Sequence, residues 1–187
     1  MRSVMRIGVS LATALALSAC ATPPPLAPEP AKSVDTAKFY TGRWYEIGRT
    51  PMYITNGCVA GSTDYSYDAN GQLHQFDACH SNTPEGAQKS IQGPVTILDP
   101  GENNKILVHY HVFYGLIPIN HTYWIEDHDA AYSWFIFSDP AFKNINIYTR
   151  APRPDPALVQ DLTARVKAMG YDTSKLEFPT EFPPGMQ

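Results

Sequence analysis

The stretch that decides the fold is Gly42-Arg43-Trp44-Tyr45-Glu46-Ile47-Gly48-Arg49. It follows a proline-rich segment and begins with a glycine, which allows the backbone to turn sharply. Large side chains then alternate along the stretch, as they do in a strand that has two different faces. The stretch therefore predicts the first strand of a β-barrel, with the indole of Trp44 as its largest side chain.

Length and composition limit the chain to one domain. It has 187 residues, of which 43% are hydrophobic, and this is enough for a single substantial core. The formal net charge of −4 excludes a basic surface for nucleic acid. Aromatic residues make up 12% of the chain and fall in short runs, which favours an all-β class.

The N-terminus has the features of a secretory signal. A basic start, an apolar run from Ile7 to Leu17 and small residues before Cys20 are typical of a signal peptide, and the run is too short for a permanent membrane helix. Leu17-Ser18-Ala19-Cys20 resembles the bacterial lipobox. We therefore expect residues 1–19 to be removed and Cys20 to carry lipid. Ordinary cleavage beside an incidental cysteine is the alternative.

Residues 20–36 are predicted to be the lipidated cysteine and a proline-rich tether. Ala21–Ser33 cannot form a packed element and favours extended polyproline II. At about 3.1 Å per residue this segment would reach roughly 40 Å. The folded domain is expected over residues 37–180, followed by a disordered tail over residues 181–187.

Turn signals divide the region after the tether into eight strands with short sequential connections. Such a meander removes its edges by closing into an up-and-down antiparallel barrel, and an eight-stranded barrel has room for one small ligand. The predicted strands are Gly42–Arg49, Gly57–Tyr67, Gln72–Cys79, Lys89–Leu98, Lys105–Tyr114, Asn120–Glu126, Tyr132–Phe137 and Asn144–Arg150.

A helix is predicted after the last of these strands. Asp155 is a capping residue, Pro156 suits the first turn, and apolar side chains recur at helical spacing until Gly170. This helix must pack on the outside of the barrel. Ser174–Phe178 then predicts a short final strand, and Pro179–Gln187 predicts a poorly ordered end.

Cys58 and Cys79 predict a disulfide, because an exported chain with Cys20 lipidated has no other thiols. A tight turn at Asn70-Gly71 would place Cys79 opposite residue 62. The bridge therefore requires a bulge or a bend near the ends of these strands.

Three histidines are candidates for metal or haem ligands. His109 and His111 share one face of a strand, and His121 lies on the predicted neighbouring strand, opposite residue 112. Exposed or hydrogen-bonded histidines are the simpler interpretation. The chain has no Gly-x-Ser-x-Gly, His-Glu-x-x-His or phosphate-loop motif, so we expect neither catalysis nor a cofactor.

Taken together, these residues resemble the lipocalins, and among them the bacterial outer-membrane lipoproteins related to apolipoprotein D. Tyr40–Arg49 is similar to the first motif of the family, Ile147–Pro152 to its late arginine motif, and Gly170–Leu176 to the segment after its helix. The middle motif differs, since Glu126–Tyr132 lacks the Thr-Asp-Tyr of many lipocalins. A receptor contact through that loop is therefore not expected.

The resemblance implies that Arg150 lies across Trp44 at the closed end of the barrel, so that Gly42, Trp44 and Arg150 form a structural barrel-closing motif. If Trp44 points inward, Glu46 and Gly48 do so too, because side chains alternate with a period of two. A buried carboxylate needs partners. We expect tyrosine hydroxyls or Arg150 to bond Glu46.

The implied function is the binding of a small hydrophobic ligand, such as palmitate or another fatty acid or a lysophospholipid, on the periplasmic face of the outer membrane. We expect Glu46, Met52, Tyr53, Tyr65 and Tyr110 to contact the ligand. An enzyme or a haem or metal protein that uses His109, His111 and His121 is one alternative, and an interaction protein with a filled barrel is another. The inner membrane and the oligomeric state, a homodimer included, remain open.

Overall fold

Each strand of the barrel pairs antiparallel with its neighbour in the chain, and the first strand pairs with the last. The computed structural model describes residues 26–112, 116–179 and 182. Within these residues the closed barrel has eight strands, as predicted. They are β1 (Gly42–Arg49), β2 (Cys58–Tyr67), β3 (Leu73–Ser81), β4 (Gln88–Ile97), β5 (Lys105–Val112), β6 (Ile117–His128), β7 (Trp134–Ser138) and β8 (Ile145–Thr149).

Aromatic rings fill one end of the barrel. A short helix, α1 (Thr36–Phe39), places Phe39 beneath β1, with its ring centroid 5.3 Å from Trp44 and 4.8 Å from Phe135. Tyr65 packs in the same cluster. Since these side chains are almost completely buried, this end of the barrel is closed.

Arg150 seals the closed end from outside, and the expected contact with Trp44 is present. Its guanidinium carbon lies 3.5 Å from the centroid of the Trp44 ring. The same group donates hydrogen bonds to the carbonyls of Thr41 at 2.8 Å and Arg43 at 2.9 Å. Gly42 sits between these carbonyls with φ +62, a backbone conformation that favours glycine.

The predicted helix is α2 (Pro156–Ala168), and it packs outside the barrel as expected. Asp155 caps it by accepting a hydrogen bond from the amide of Ala157, and Gly170 follows its end with φ +93. Leu162 and Val166 are fully buried. They belong to an outer apolar cluster with Ile47, Trp134, Ile136, Ile145, Ile147 and Tyr171.

Two local predictions were wrong. The sixth strand begins at Ile117 and not at the predicted Asn120, so Pro118 belongs to β6, and residues 113–115 lie outside the described part of the chain. Ser174–Phe178 does not form a strand: Thr173–Lys175 is a 3-10 helix capped by Asp172, and the following segment makes a single bridge between Glu177 and Arg49.

The predicted disulfide between Cys58 and Cys79 is confirmed, with an S–S distance of 2.01 Å. The hairpin turn is one residue longer than expected, since the amide of Asp68 donates to the carbonyl of Gln72. The register shifts between Val59 and Ser62, so that residues 60–61 lie opposite Cys79. This is the bulge that the bridge required.

The segment that leads into the barrel is packed against it, and residues 26–35 therefore do not form a free tether. Ala27 and Val34 are buried. The amide of Val34 donates to the carbonyl of Glu102 near the closed end, and the amide of Leu26 donates to the carbonyl of Pro140, in the loop between β7 and β8. We call residues 26–35 the strap.

The remaining terminal predictions fall largely outside the described residues. They concern the signal peptide, Cys20 and most of the tail. Phe182, the one described residue of the tail, packs on Tyr45 at a centroid distance of 5.3 Å. Among the described residues, no helix has the length and apolar character needed to cross a membrane.

The seal at the closed end gives a first prediction. Replacing Arg150 with Lys should lower the free energy of unfolding by about 1–2 kcal/mol, because an ammonium has neither the planar face nor the fork that reaches two carbonyls. Urea denaturation of the two proteins measures this difference. Arg43→Lys, in an exposed pair with Asp64, is the control and should cost less than about 1 kcal/mol. Equal effects of the two substitutions would contradict the role given to Arg150.

Candidate ligand-binding site

The barrel encloses a cavity of about 250 Å³ that opens at the end opposite Trp44. This volume lies just below the range of ordinary small-molecule sites, which begins at about 300 Å³. The apolar part of its wall includes Met52, Ile54, Ile91, Ile119 and Phe137. Its polar part includes Glu46, Arg49, Gln75, Asp77, Tyr110, Tyr123, Asn146 and Tyr148. The cavity therefore suits a small amphiphile.

A buried ion pair forms one side of the cavity. Glu46 is buried as predicted, but its partners are Arg49, whose Nη1 lies 2.7 Å from Oε2, and Asn146, whose Nδ2 donates to Oε1 at 2.7 Å. The prediction that tyrosine hydroxyls or Arg150 bind Glu46 was therefore wrong. Arg150 lies outside the closed end, and the bonds to Arg49 and Asn146 are the ones that hold both carboxylate oxygens.

Arg49 is almost completely enclosed by acceptors. Its Nε donates to Glu177 at 2.7 Å, and its Nη2 donates to the carbonyls of Thr55 at 3.2 Å and Cys58 at 2.8 Å. Burial lowers the pKa of Arg49, but the two carboxylates outweigh burial and raise it. Burial raises the pKa of Glu46, and Arg49 opposes that rise. Since the guanidinium stays charged, Glu46 is its counter-ion.

A bulge in β1 explains why Arg49 faces inward. Glu46 pairs with Tyr148, but Gly48 pairs with Ile147, so one extra residue interrupts the alternation. Gly48 therefore faces outward, where an added Cβ would lie 3.0 Å from the ring of Phe178. The prediction that Gly48 faces the interior was wrong for this reason.

The bulge in β2 makes room for the ion pair. A Cβ on Gly61 would lie 2.6 Å from Oε2 of Glu46, which is closer than a real contact allows. The bulge that aligns the two cysteines therefore also brings a residue without a side chain against the buried carboxylate. The disulfide and the ion pair are in this way parts of one local arrangement.

Asp77 carries a second carboxylate in the cavity wall, held by neutral donors. Thr63 donates from its hydroxyl at 2.6 Å, Tyr110 donates from its hydroxyl at 2.6 Å, and the side-chain amide of Gln75 donates at 2.9 Å. Burial raises the pKa of Asp77, and these three hydrogen bonds oppose the rise.

Of the five residues predicted to contact a ligand, three line the cavity and two do not. Glu46, Met52 and Tyr110 line the cavity. Tyr53 is 98% exposed on the loop after β1, and Tyr65 is buried in the closed-end cluster. Ligand contact by the first three residues remains a prediction.

Sequence reasoning missed Arg49, Asp77, Asn146 and Tyr148. Three of them follow the alternation of side chains along a strand: Asp77 lies two residues before Cys79, and Tyr148 and Asn146 lie two and four residues before Arg150. Arg49 could not be found in this way, because the bulge in β1 reverses the alternation just before it.

The three histidines do not converge. His121 pairs with Val108, not with residue 112 as expected, and it lines the mouth of the cavity. His109 is not among the residues that line the cavity. It contacts Thr96 and Asn120, each at 3.1 Å. Over the described residues, no group of three or more His, Cys, Asp or Glu side chains is placed to hold a metal ion.

An antiparallel barrel with a plugged end, an open end and an internal cavity defines a class of small-molecule-binding proteins. A family model described as a lipocalin-like domain matches residues 34–181. The chain belongs to the lipocalin family. Lipocalins bind small hydrophobic ligands and are usually not enzymes. A search of curated proteins finds no match.

Solved structures share the fold at low sequence identity. Insecticyanin from the tobacco hornworm Manduca sexta is 18% identical with a TM-score of 0.64, covering 87% of this chain and 89% of that chain. Lobster apocrustacyanin A1 is 19% identical with a TM-score of 0.57, covering 84% and 91%. The tryptamine complex of the amine-binding protein of Rhodnius prolixus is 16% identical with a TM-score of 0.59, covering 81% and 84%. At such identities the similarity shows the fold alone.

The buried ion pair gives a second prediction. Arg49→Met should lower the free energy of unfolding by about 3–5 kcal/mol, because Glu46 would be left as an unpaired buried charge. Adding Glu46→Gln to this variant should restore more than half of the loss. Urea denaturation at neutral pH measures both effects.

Arg43→Met is the matched control, since Arg43 lies on the same strand in an exposed pair with Asp64. It should cost less than about 1 kcal/mol. If Glu46→Gln fails to restore stability to Arg49→Met, the loss arises from packing, and the charge argument is wrong.

Proposed function

We propose that this protein is a lipid-anchored lipocalin of the bacterial cell envelope that stores or transports single-chain amphiphiles, such as fatty acids or lysophospholipids. The observation that carries the proposal is the cavity, which has an apolar wall and a few fixed polar groups. The cavity also argues against an interaction protein whose barrel is filled by its own side chains. Two solved structures that share the fold are of amine-binding proteins, and one of them is the tryptamine complex from Rhodnius prolixus.

The path of the strap supports an anchor near the mouth of the cavity. Leu26 bonds to the loop between β7 and β8, at the open end of the barrel. Cys20 precedes Leu26 by six residues, which span at most roughly 20 Å. A lipid on Cys20 would therefore hold the open end close to the bilayer.

Exposed apolar side chains at the open end support the same orientation. Tyr53 and Ile54 lie on the loop between β1 and β2, and Leu116 precedes β6 at the same end. They are 98%, 64% and 81% exposed. Apolar groups grouped around the mouth of a cavity are typical of surfaces that meet lipid. A single-chain lipid would then have a short path from the membrane to the cavity.

Ligand binding is tested by native mass spectrometry of the mature chain without its lipidated Cys20, from Ala21 onward, with palmitate. We expect one bound palmitate. Ile91→Trp should abolish binding because the indole fills the cavity, whereas Leu98→Trp, on an exposed turn, should leave it intact. If Ile91→Trp does not fold, Ile119→Trp, at another position in the cavity wall, replaces it in this test. Failure of the unaltered chain to bind palmitate or any lysophospholipid would refute the proposal.

The anchor is tested by fractionating bacterial cells that express the full chain. We expect the protein in the outer-membrane fraction with the added mass of acyl chains, and Cys20→Ala should release it from that fraction. The pair Cys58→Ala and Cys79→Ala, which leaves Cys20 in place, should remain attached to the membrane. Membrane attachment of Cys20→Ala would show that Cys20 is not the anchor.

A further inference from the structure

The carboxyl group of Asp77 lies in the cavity wall and has no cationic partner in the described part of the chain. Its bonded neighbours, Thr63, Gln75 and Tyr110, are all neutral. Asp77 lines the cavity and is only partly buried, so a ligand in the cavity can contact its side chain. A carboxylate in such a place is complementary to a cation.

The cations near the cavity do not neutralise Asp77. Arg49 is bound to Glu46 and Glu177 and directs its remaining bonds to two carbonyls. Lys89 lines the mouth of the cavity, is exposed, and forms no ion pair with the described residues. Since Arg49 balances Glu46, the enclosed wall has one carboxylate in excess.

A second observation concerns the amide of Gln75. Its nitrogen donates to Asp77 and also to the hydroxyl of Tyr110 at 2.9 Å, and these bonds fix the orientation of the amide. Its oxygen is buried and has no hydrogen-bond partner among the described residues. Gln75 itself is only 2% exposed and lines the cavity. The amide that binds Asp77 therefore also presents an acceptor oxygen that lacks a donor.

We propose that the cavity selects amphiphiles that carry a protonated amine at the end that enters the barrel, with Asp77 as the counter-ion of the ammonium group. This proposal rests on the proposed function, since it names the chemistry of the ligand in the same cavity. An amphiphile whose inner end is a carboxylate would instead place two like charges side by side. A fatty acid would then bind with its carboxylate toward the mouth, near Lys89.

The test compares three ligands with the same chain and different ends, namely decylamine, decanol and decanoate. Isothermal titration calorimetry at neutral pH is carried out on the mature chain. We expect decylamine to bind at least about tenfold more tightly than decanoate, a ratio that corresponds to a single favourable charge contact. Decanol should lie between the two.

Asp77→Asn tests the origin of this preference, because it keeps the size of the side chain and removes its charge. In this variant decylamine should lose about tenfold in affinity, decanoate should gain, and decanol should change by less than about twofold. Asp64→Asn, on the outer face beside Arg43, is the control and should leave all three affinities unchanged. A purely structural role for Asp77 would lower all three affinities together.

The possible outcomes separate this inference from the proposed function. If all three ligands bind equally, or if Asp77→Asn keeps the preference for the amine, the inference is wrong and the lipid-binding function stands. If none of the three binds, and palmitate does not bind either, the proposed function fails as well. Unfolding of Asp77→Asn is checked by circular dichroism. If Asp77→Asn is unfolded, Asp77→Glu is tested instead. This variant retains the carboxyl group and must keep the preference for decylamine over decanoate.

Discussion

Pairing of the first strand with the last is the interaction on which the rest of the structure depends. β1 and β8 close the sheet and remove its edges, and the same pairing contains the bulge between Glu46 and Gly48. Before the bulge, Trp44 faces the closed end, where Arg150 covers it from outside. After the bulge, Arg49 faces the cavity. Glu46, just before the bulge, also lines the cavity, so this one irregularity is what brings Glu46 and Arg49 to the same face of the strand.

The cavity wall combines two ways of keeping a carboxylate inside a protein. Glu46 has a charged partner and an amide donor, so its charge is balanced within the wall. Asp77 has only neutral donors, and burial raises its pKa. In a medium of low dielectric constant an unbalanced charge interacts strongly with whatever enters. We infer that the difference between these two carboxylates gives the cavity a preference for amines, whereas Met52 and the other apolar residues of the wall would bury the rest of a ligand.

The open end brings together features that lie far apart in the sequence. The disulfide between Cys58 and Cys79 lines the mouth, and the bulge beside it places Gly61 against Glu46. The strap runs from the closed end back to the loop that contains Pro140. Because the strap packs against the barrel, only the short segment between Cys20 and Leu26 would connect a lipid anchor to the folded domain. Anchor and mouth would then face the same bilayer.

Much of the fold was predictable because it depends on local patterns. Turn residues delimit the strands, helical spacing defines α2, and Asp155 and Gly170 mark its ends. Boundaries were less accurate where a turn residue such as Pro118 continues a strand, since pairing across the barrel decides the matter. The disulfide followed from the number of available cysteines. The resemblance placed Arg150 on Trp44, and alternation alone placed Glu46 in the interior.

The partners inside the cavity could not be predicted from the sequence. Regular alternation assigned Gly48 to the interior, but a single bulge turns Gly48 outward and brings Arg49 inward. Asn146 lies one hundred residues after Glu46, and the two meet because β8 returns to pair with β1. The sequence by itself determined a closed barrel with an outer helix, because the periodicity of side chains is a local property. Only the tertiary structure decided which charges are balanced, because a bulge shifts the register by one residue and barrel closure brings distant strands together.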